Sequence, residues 1–284
     1  MTPFPSRVDG GAGLPGCERL PYFPEQVLAA LNGVEKLILA GADSPVSFFA
    51  YPNTPSVLVP ENCAVVRLSE SEEDTAQALA SLADFLGVSG GDYSINQLAD
   101  LELPTGELST RTISAAIAAL IPEGAILCGD SGGGGAAFGP CQSARPNTWL
   151  NLTGGSIGQG GPVAVGAAVA CPDRPVLALL GDGASMYTNQ SFWTQAREGL
   201  NVTTVIFNNS KYGILETEYL RLGVNEVGER AADLFDLSRP SIDFVQLGNS
   251  MGVPGQAVET AEEFVVALER SLSESGPSLI EARL

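Results

Sequence analysis

The sequence contains no histidine. That absence removes Ser-His-Asp triads, Cys-His pairs and imidazole metal ligands from what the chain builds by itself. Cations are scarce as well: 14 Lys and Arg stand against 33 Asp and Glu, a formal charge of −19. This balance excludes nucleic acid as a partner, because holding a phosphate backbone needs a basic surface. Solubility, or adaptation to a salty host, accounts for the acidity. The five cysteines, Cys17, Cys63, Cys128, Cys141 and Cys171, are odd in number, and none stands in a C-x-x-C spacing. Neither a disulfide framework nor a zinc site is expected, and the compartment reads as reducing. No apolar run is long enough to cross a bilayer: "VAVGAAVAC" is too short, and the N-terminus has no apolar signal core. A soluble, cytoplasmic protein with no membrane partner is the expectation.

Glycine and proline, by contrast, are plentiful, at 33 and 19 of 284 residues. They crowd the opening stretch "TPFPSRVDGGAGLPGCERLPYFPEQ", which reads as an irregular arm. A small β/α unit follows. It comprises the helix "PEQVLAALNGV", the strands "EKLILAGA" and "AVVRLS", and the acid-started helix "SEEDTAQALASLADFLGV", with Ala76, Leu79, Leu82 and Phe85 on one face. This unit ends near residue 90, and residues 91–104 read as a linker. From 105 to 284, helix and strand patterns alternate: "AILCGDSGGGG", "RPVLALL", "NVTTVIFNN" and "PSLIEARL" as strands, with helices between them. Alternation of this kind means an α/β fold with a parallel sheet and helices on both faces.

Two strand ends stand out. "GDGASMYTNQ" follows an apolar run and sets Asp182 between Gly181 and Gly183; "VIFNN" ends at Asn209, 27 positions later. In an open parallel sheet ligands sit beyond the carboxyl ends of the strands, and a right-handed crossover brings successive strands side by side. Asp182 and Asn209 therefore reach one point. A carboxylate with an amide oxygen suits a hard cation such as Mg2+, the remaining ligands coming from a diphosphate. The glycines let backbone approach that phosphate, and the following helix N-terminus presents N–H groups to it. Read singly, Asp182 also suits a helix N-cap, Gly132 to Gly135 a flexible surface loop, and Ile157 plain core packing. Met186 stands where a dinucleotide fingerprint needs its third glycine. The acidic stretch from Glu70 reads as a solvated face, and Cys128 as a small core residue.

GDG followed at this interval by NN resembles the cofactor motif of thiamine diphosphate-dependent enzymes. "NNSKYGIL" is similar to the same loop in acetolactate synthases and benzoylformate-type decarboxylases. "LTGGSIGQGGPVAVGAAVA" is similar to the segment under the thiazolium ring, and "RLPYFPEQ" and "PVSFFAYPNTPSVLVP" to the back half of the central domain. The resemblance covers nearly the whole chain. It implies that residues 1–90 are a partial central domain with an N-terminal arm, and 105–284 the diphosphate- and Mg2+-binding domain. It implies Mg2+ on Asp182, Asn209 and the Lys211 carbonyl. It implies thiamine diphosphate against Gly183, Ala184 and Ser185, against Ser131, Gly132 and Gly133, and against the Ile214 amide. The Gly155 carbonyl would take the aminopyrimidine, and Ile157 would prop the bent cofactor.

Family members are about twice as long and carry an activating glutamate on a pyrimidine-binding domain, for which no segment is found here. The expectation is one half of a site, completed by a homo-oligomer or by a partner chain carrying that domain. Acetolactate synthase-like carboligation of pyruvate is the leading reading, with the 2-oxo acid as substrate. A benzoylformate-type decarboxylase stands beside it, because decarboxylases more often carry a branched residue where Ile157 stands and acetolactate synthases commonly carry Met. A non-catalytic cofactor- or partner-binding remnant is the third.

Overall fold

The computed structural model describes residues 1–88, 90, 93–224 and 226–284. The elements run β1 (Arg7–Gly10), α1 (Pro24–Ala30), β2 (Lys36–Ala40), β3 (Ala64–Ser69), α2 (Thr75–Leu86), α3 (Thr110–Leu120) and β4 (Ala125–Asp130). Next come α4 (Gly132–Ala136), α5 (Phe138–Cys141), β5 (Asn147–Leu150), α6 (Gly160–Ala170), β6 (Val176–Gly181), α7 (Asp182–Ser185) and α8 (Gln190–Glu198). The last third holds β7 (Val202–Asn208), α9 (Gly213–Arg221), α10 (Glu229–Phe235), α11 (Phe244–Ser250), β8 (Gly255–Val258), α12 (Ala261–Ser273) and β9 (Ser278–Arg283). The chain divides into two compact units, Met1–Pro3 with Cys17–Ser94, and Phe4–Gly16 with Ile95–Leu284. Ser89, Gly91 and Asp92, around the start of the expected linker, lie outside the described residues.

The smaller unit is built on a two-stranded parallel sheet, β2 beside β3. Val27, Leu31 and Leu58 form its core. Helix α2 starts where Asp74 accepts a hydrogen bond from the Gln77 amide at 3.0 Å and stops at left-handed Gly87. The stripe on this helix does not become a buried face: Ala76, Leu79 and Phe85 are exposed and Leu82 is half-buried. Two strands offer too little area to cover a 12-residue helix, so the amphipathic pattern is present without the burial it normally accompanies.

The larger unit is a seven-stranded sheet in the order β1-β5-β4-β6-β7-β9-β8. All neighbours are parallel except β1 and β5. Alternate residues of each central strand feed opposite faces. Leu127, Leu177, Leu179, Val205 and Phe207 pack with Ile113, Ile117, Phe264 and Leu268 of α3 and α12. Ile126, Cys128, Ala178, Leu180 and Ile206 pack with Ala164, Ala168, Phe192 and Phe244 of α6, α8 and α11. The sheet is thus covered on both sides, as the sequence pattern predicts. Cys128 and Cys141 are buried, and desolvation pushes each thiol up to about 12, which makes them inert core residues. Among the described residues no helix is long and apolar enough to cross a membrane.

Two expectations need correction here. Residues 7–10 are no irregular arm: β1 pairs antiparallel with β5, Val8 opposite Trp149. Strand β5 itself, four residues long, is too short to show periodicity. The glycine run is no flexible loop either. Ser131 caps α4, its hydroxyl accepting from the Gly134 amide at 2.8 Å, and the helix lies so close to β6 that a Cβ on Gly134 would fall 2.6 Å from the Leu179 carbonyl oxygen.

Two adjacent glycines of that helix differ in a testable way. Gly134→Ala costs about 1–3 kcal/mol through overpacking. Gly135 has open space where a Cβ would stand, so Gly135→Ala is neutral or stabilises by up to about 1 kcal/mol. Urea unfolding followed by the fluorescence of the buried Trp149 measures both; equal midpoints would refute the close approach.

Candidate functional site

The chain order explains where a site forms. From β4 the chain moves to β5 on one side of β4, then returns to β6 on the other. Helix α4, after β4, lies on one face of the sheet; α8, after β6, lies on the other. The carboxyl ends of β4 and β6 therefore flank a crevice of the type that binds ligands in open α/β sheets. Register sets the level: Asp130 pairs with Leu180, and Gly181 with Phe207. The turn after β4 meets the turn after β6 there, since a Cβ on Gly181 would lie 3.3 Å from the Ser131 Cβ.

Asp182 occupies the first position of α7 and is only 5% exposed. It is not the N-cap, a position taken by Gly181. Its Oδ1 accepts from the Gly183 amide at 2.7 Å, while Oδ2 is buried without a hydrogen-bond partner. Burial raises the carboxyl above its ordinary range; the amides of Gly183, Ser210, Lys211 and Asn209 face it and pull the other way. The turn after β7 thus converges on Asp182. A Cβ on Gly183 would collide with the Tyr212 ring, so glycine there is a packing requirement. The Ser185 hydroxyl donates to the Asp182 carbonyl at 2.8 Å, and Ala184 is half-buried.

The turn itself is held by backbone and side chains. Asn209 is exposed, its Oδ1 accepting from the Lys211 amide at 3.2 Å. Ser210 takes a left-handed conformation, φ 54°. The Lys211 carbonyl accepts from the Gly213 amide at 3.0 Å, while the Lys211 ammonium pairs with Glu216 at 2.8 Å. Tyr212 and Leu237 amides tie the turn to the segment after α10, bonding to the Phe235 and Ser210 carbonyls. Ile214 stands exposed in the first turn of α9.

A second wall is the segment before α6. Asp130 is buried at the end of β4, and its Oδ2 accepts from the Gly158 amide at 2.9 Å and the Gly160 amide at 2.8 Å. Burial raises this carboxyl as well. Above that anchor the Gly155 carbonyl accepts from the Ile157 amide at 2.8 Å. Ile157 is 48% exposed, so core packing does not explain it. The structure brings Ser131, Gly132, Gly133, Gly183, Ala184, Ser185, Asp182, Asn209 and Lys211 to the ends of three adjoining strands. Gly155 and Ile157 sit on the segment that Asp130 fastens to the same edge. Sequence reasoning did not find the work of Asp130, Tyr212 or Asn208. Only the doubled Asn hinted at the last.

Oxygen atoms dominate the arrangement. Among the described residues no group of three His, Cys, Asp or Glu could cage a metal. A cation at Asp182 therefore needs ligands from outside the chain as well as the open Oδ2. A phosphate-bearing ligand would provide them, and α4 and α7 both begin at this edge of the sheet.

Comparison with known proteins fits this geometry. Residues 128–282 match the family model described as thiamine pyrophosphate enzyme, C-terminal TPP binding domain. An acetolactate synthase-like large subunit, IlvX, of Mycobacterium tuberculosis is 49% identical over 280 residues, covering 98% of this chain and 54% of that protein. A benzoylformate decarboxylase of Pseudomonas aeruginosa is 33% identical, covering 98% and 53%. The solved Rhodococcus jostii RHA1 thiamine diphosphate-dependent 4-hydroxybenzoylformate decarboxylase superposes with a TM-score of 0.71 at 25% identity, over 94% of this chain and 52% of that one. The chain spans about half the length of these relatives.

Burial of the Asp182 carboxyl raises its value above the ordinary aspartate range, and that has a measurable sign. Its raised folded-state value favours the protonated form, so its penalty on stability is present above that value and fades as pH falls through it. Without cation, Asp182→Asn keeps an acceptor for Gly183 and raises the urea midpoint at pH 7, with the gain shrinking as the medium is acidified into the ordinary aspartate range. A lowered midpoint at pH 7, as loss of a helix cap would give, contradicts this account.

Proposed function

The chain belongs to the thiamine pyrophosphate enzyme family, and from that premise we propose that it supplies the diphosphate-binding half of a 2-oxo acid enzyme, acetolactate synthase-like in joining pyruvate units. The observation that carries the reading is Asp182: one buried carboxylate at the end of β6, its Oδ2 unpartnered, faced by the turn after β7. The residues present fit the cofactor. Mg2+ would be held by Asp182, the Asn209 side-chain oxygen and the Lys211 carbonyl, an all-oxygen set suited to a hard cation. The amides of Gly183, Ala184 and Ser185, the turn Ser131–Gly133 and the Ile214 amide would receive the diphosphate. The Gly155 carbonyl would orient the aminopyrimidine, and half-exposed Ile157 would support the ring system. Bound thiamine diphosphate supplies a nucleophilic carbon for attack on a 2-oxo acid.

On this reading three acids at this edge are committed elsewhere. Asp182 is assigned to the cation, Asp130 to the Gly158 and Gly160 amides, and Glu216 to Lys211. The reading therefore places the acid–base group on another polypeptide segment, and the working site at an interface within an oligomer. The 49% identity to the acetolactate synthase-like relative supports carboligation. The branched Ile157, with 33% identity to a benzoylformate decarboxylase, supports 2-oxo acid decarboxylation as the second reading.

Two measurements test this. Calorimetry with thiamine diphosphate and Mg2+ should give binding that Asp182→Ala abolishes. The apparent Mg2+ affinity should fall on acidification from above the ordinary aspartate range, because protons compete for a carboxyl whose value burial has raised; unchanged binding in Asp182→Ala would sink the metal assignment. Pyruvate consumption by the purified chain with both cofactors should be near background, and addition of a pyrimidine-domain partner should raise it by about 10²–10⁴-fold. Brisk turnover by the chain alone would show that the base lies within it.

A further inference from the structure

Glu281 of β9 is a buried carboxylate, 1% exposed, that no part of the reading above uses. Its Oε1 accepts from Asn208 Nδ2 at 2.7 Å, with the Arg283 guanidinium more distant at 3.4 Å. The Asn208 amide is then fixed in orientation. A carboxylate only accepts, so Asn208 must turn its NH2 to Glu281 and its oxygen the other way. That oxygen accepts from both the Ser210 amide, at 3.0 Å, and the Ser210 hydroxyl, at 3.2 Å. Ser210 is the residue held at φ 54°, a conformation that costs a non-glycine residue energy and persists where surrounding bonds impose it. On either side of it stand Asn209 and Lys211.

We propose that Glu281, acting through Asn208, is the positioning residue that holds the Asn209–Lys211 turn in the shape that presents its oxygens to the cation. The link to the cation rests on the reading of Asn209 and Lys211 as its ligands; the clamp on the turn does not. The relay has a direction: acceptor at 281, donor then acceptor at 208, donor at 210. A buried acid on the last strand of the chain thereby fixes a loop on the neighbouring strand.

The direction of the relay supplies the test. Asn208→Asp sets two carboxylates against each other and disrupts the relay. Asn208→Asp combined with Glu281→Gln restores it with the acid and the amide exchanged. The amide NH2 at position 281 then donates to the carboxylate at position 208, which still accepts from Ser210. Hydrogen–deuterium exchange is measured on the full chain without cation. Exchange of the Ser210 amide should rise about tenfold or more in Asn208→Asp, the size expected for loss of one such hydrogen bond. It should rise less in Glu281→Gln alone and return to near the parent rate in the double variant. The ion pair to Arg283 is weakened in the double variant too, so rescue cannot come from it. Additive loosening in the double variant, unchanged Ser210 exchange in Asn208→Asp, or loss of protection spread across β6 and β7 would each overturn the proposal. Mg2+ titration of the same proteins separates the two layers. A parent chain that binds no Mg2+ with thiamine diphosphate, but shows the rescue, refutes the ligand assignment and leaves the clamp standing.

Discussion

The site depends on one constraint: β6 lies between β4 and β7, in parallel, with the three strands ending at one level. Asp130 opposite Leu180 and Gly181 opposite Phe207 fix that level. Parallel strands need crossover helices, and these must lie on opposite faces for the strand order to reverse beside β4. The same reversal sends the chain to opposite faces after β4 and β6, while the two turns meet at their first residues, where a Cβ on Gly181 would lie 3.3 Å from the Ser131 Cβ. Small residues then become obligatory. Gly134 lets α4 approach β6, Gly160 lets α6 approach Asp130 to within 2.5 Å of where a Cβ would stand, and Gly183 makes room for Tyr212.

The acids at this edge divide by what they accept. Asp130 and Glu281 are structural acceptors, each drawing a backbone segment or side chain into place. Asp130 Oδ1 is buried without a donor, but its other oxygen already takes two amides. Asp182 takes one hydrogen bond, from the amide next to it in sequence, and leaves Oδ2 open beneath the turn of Asn209 and Lys211. A buried carboxylate so sparsely bonded is costly in the free protein, a cost that a cation bound there, as proposed, would offset. Strain points the same way: Ser210 holds a left-handed conformation in the turn that faces Asp182. Preorganisation of this kind concentrates where a ligand is to be gripped.

Much of this was legible in the residues. The α/β class followed from alternating patterns, and the placement of Asp182 and Asn209 after neighbouring parallel strands followed from strand ends 27 positions apart. The strands "AVVRLS" and "PSLIEARL" were readable because their apolar runs are bounded by turn residues. Four-residue β1, β5 and β8 were not, because so short a segment has no period to detect. The glycine run misled in the opposite sense. Its propensity opposes helix, yet Ser131 capping and close packing on β6 make one. On α2 the pattern was right and the burial it implies did not follow, since burial depends on what else is present.

By itself, then, the sequence determined the periodicities, the absence of histidine and the acid–amide pair at two strand ends. These are local properties, set by residue type and spacing. Only the tertiary structure decided how each acid is employed. Asp130, Asp182 and Glu281 are all read from the sequence simply as acids. They differ because two of them meet donors from segments 28 and 73 residues away, while Asp182 hydrogen-bonds only its neighbour and keeps Oδ2 open. Pairing across such distances is settled by strand order and register, which no local pattern encodes.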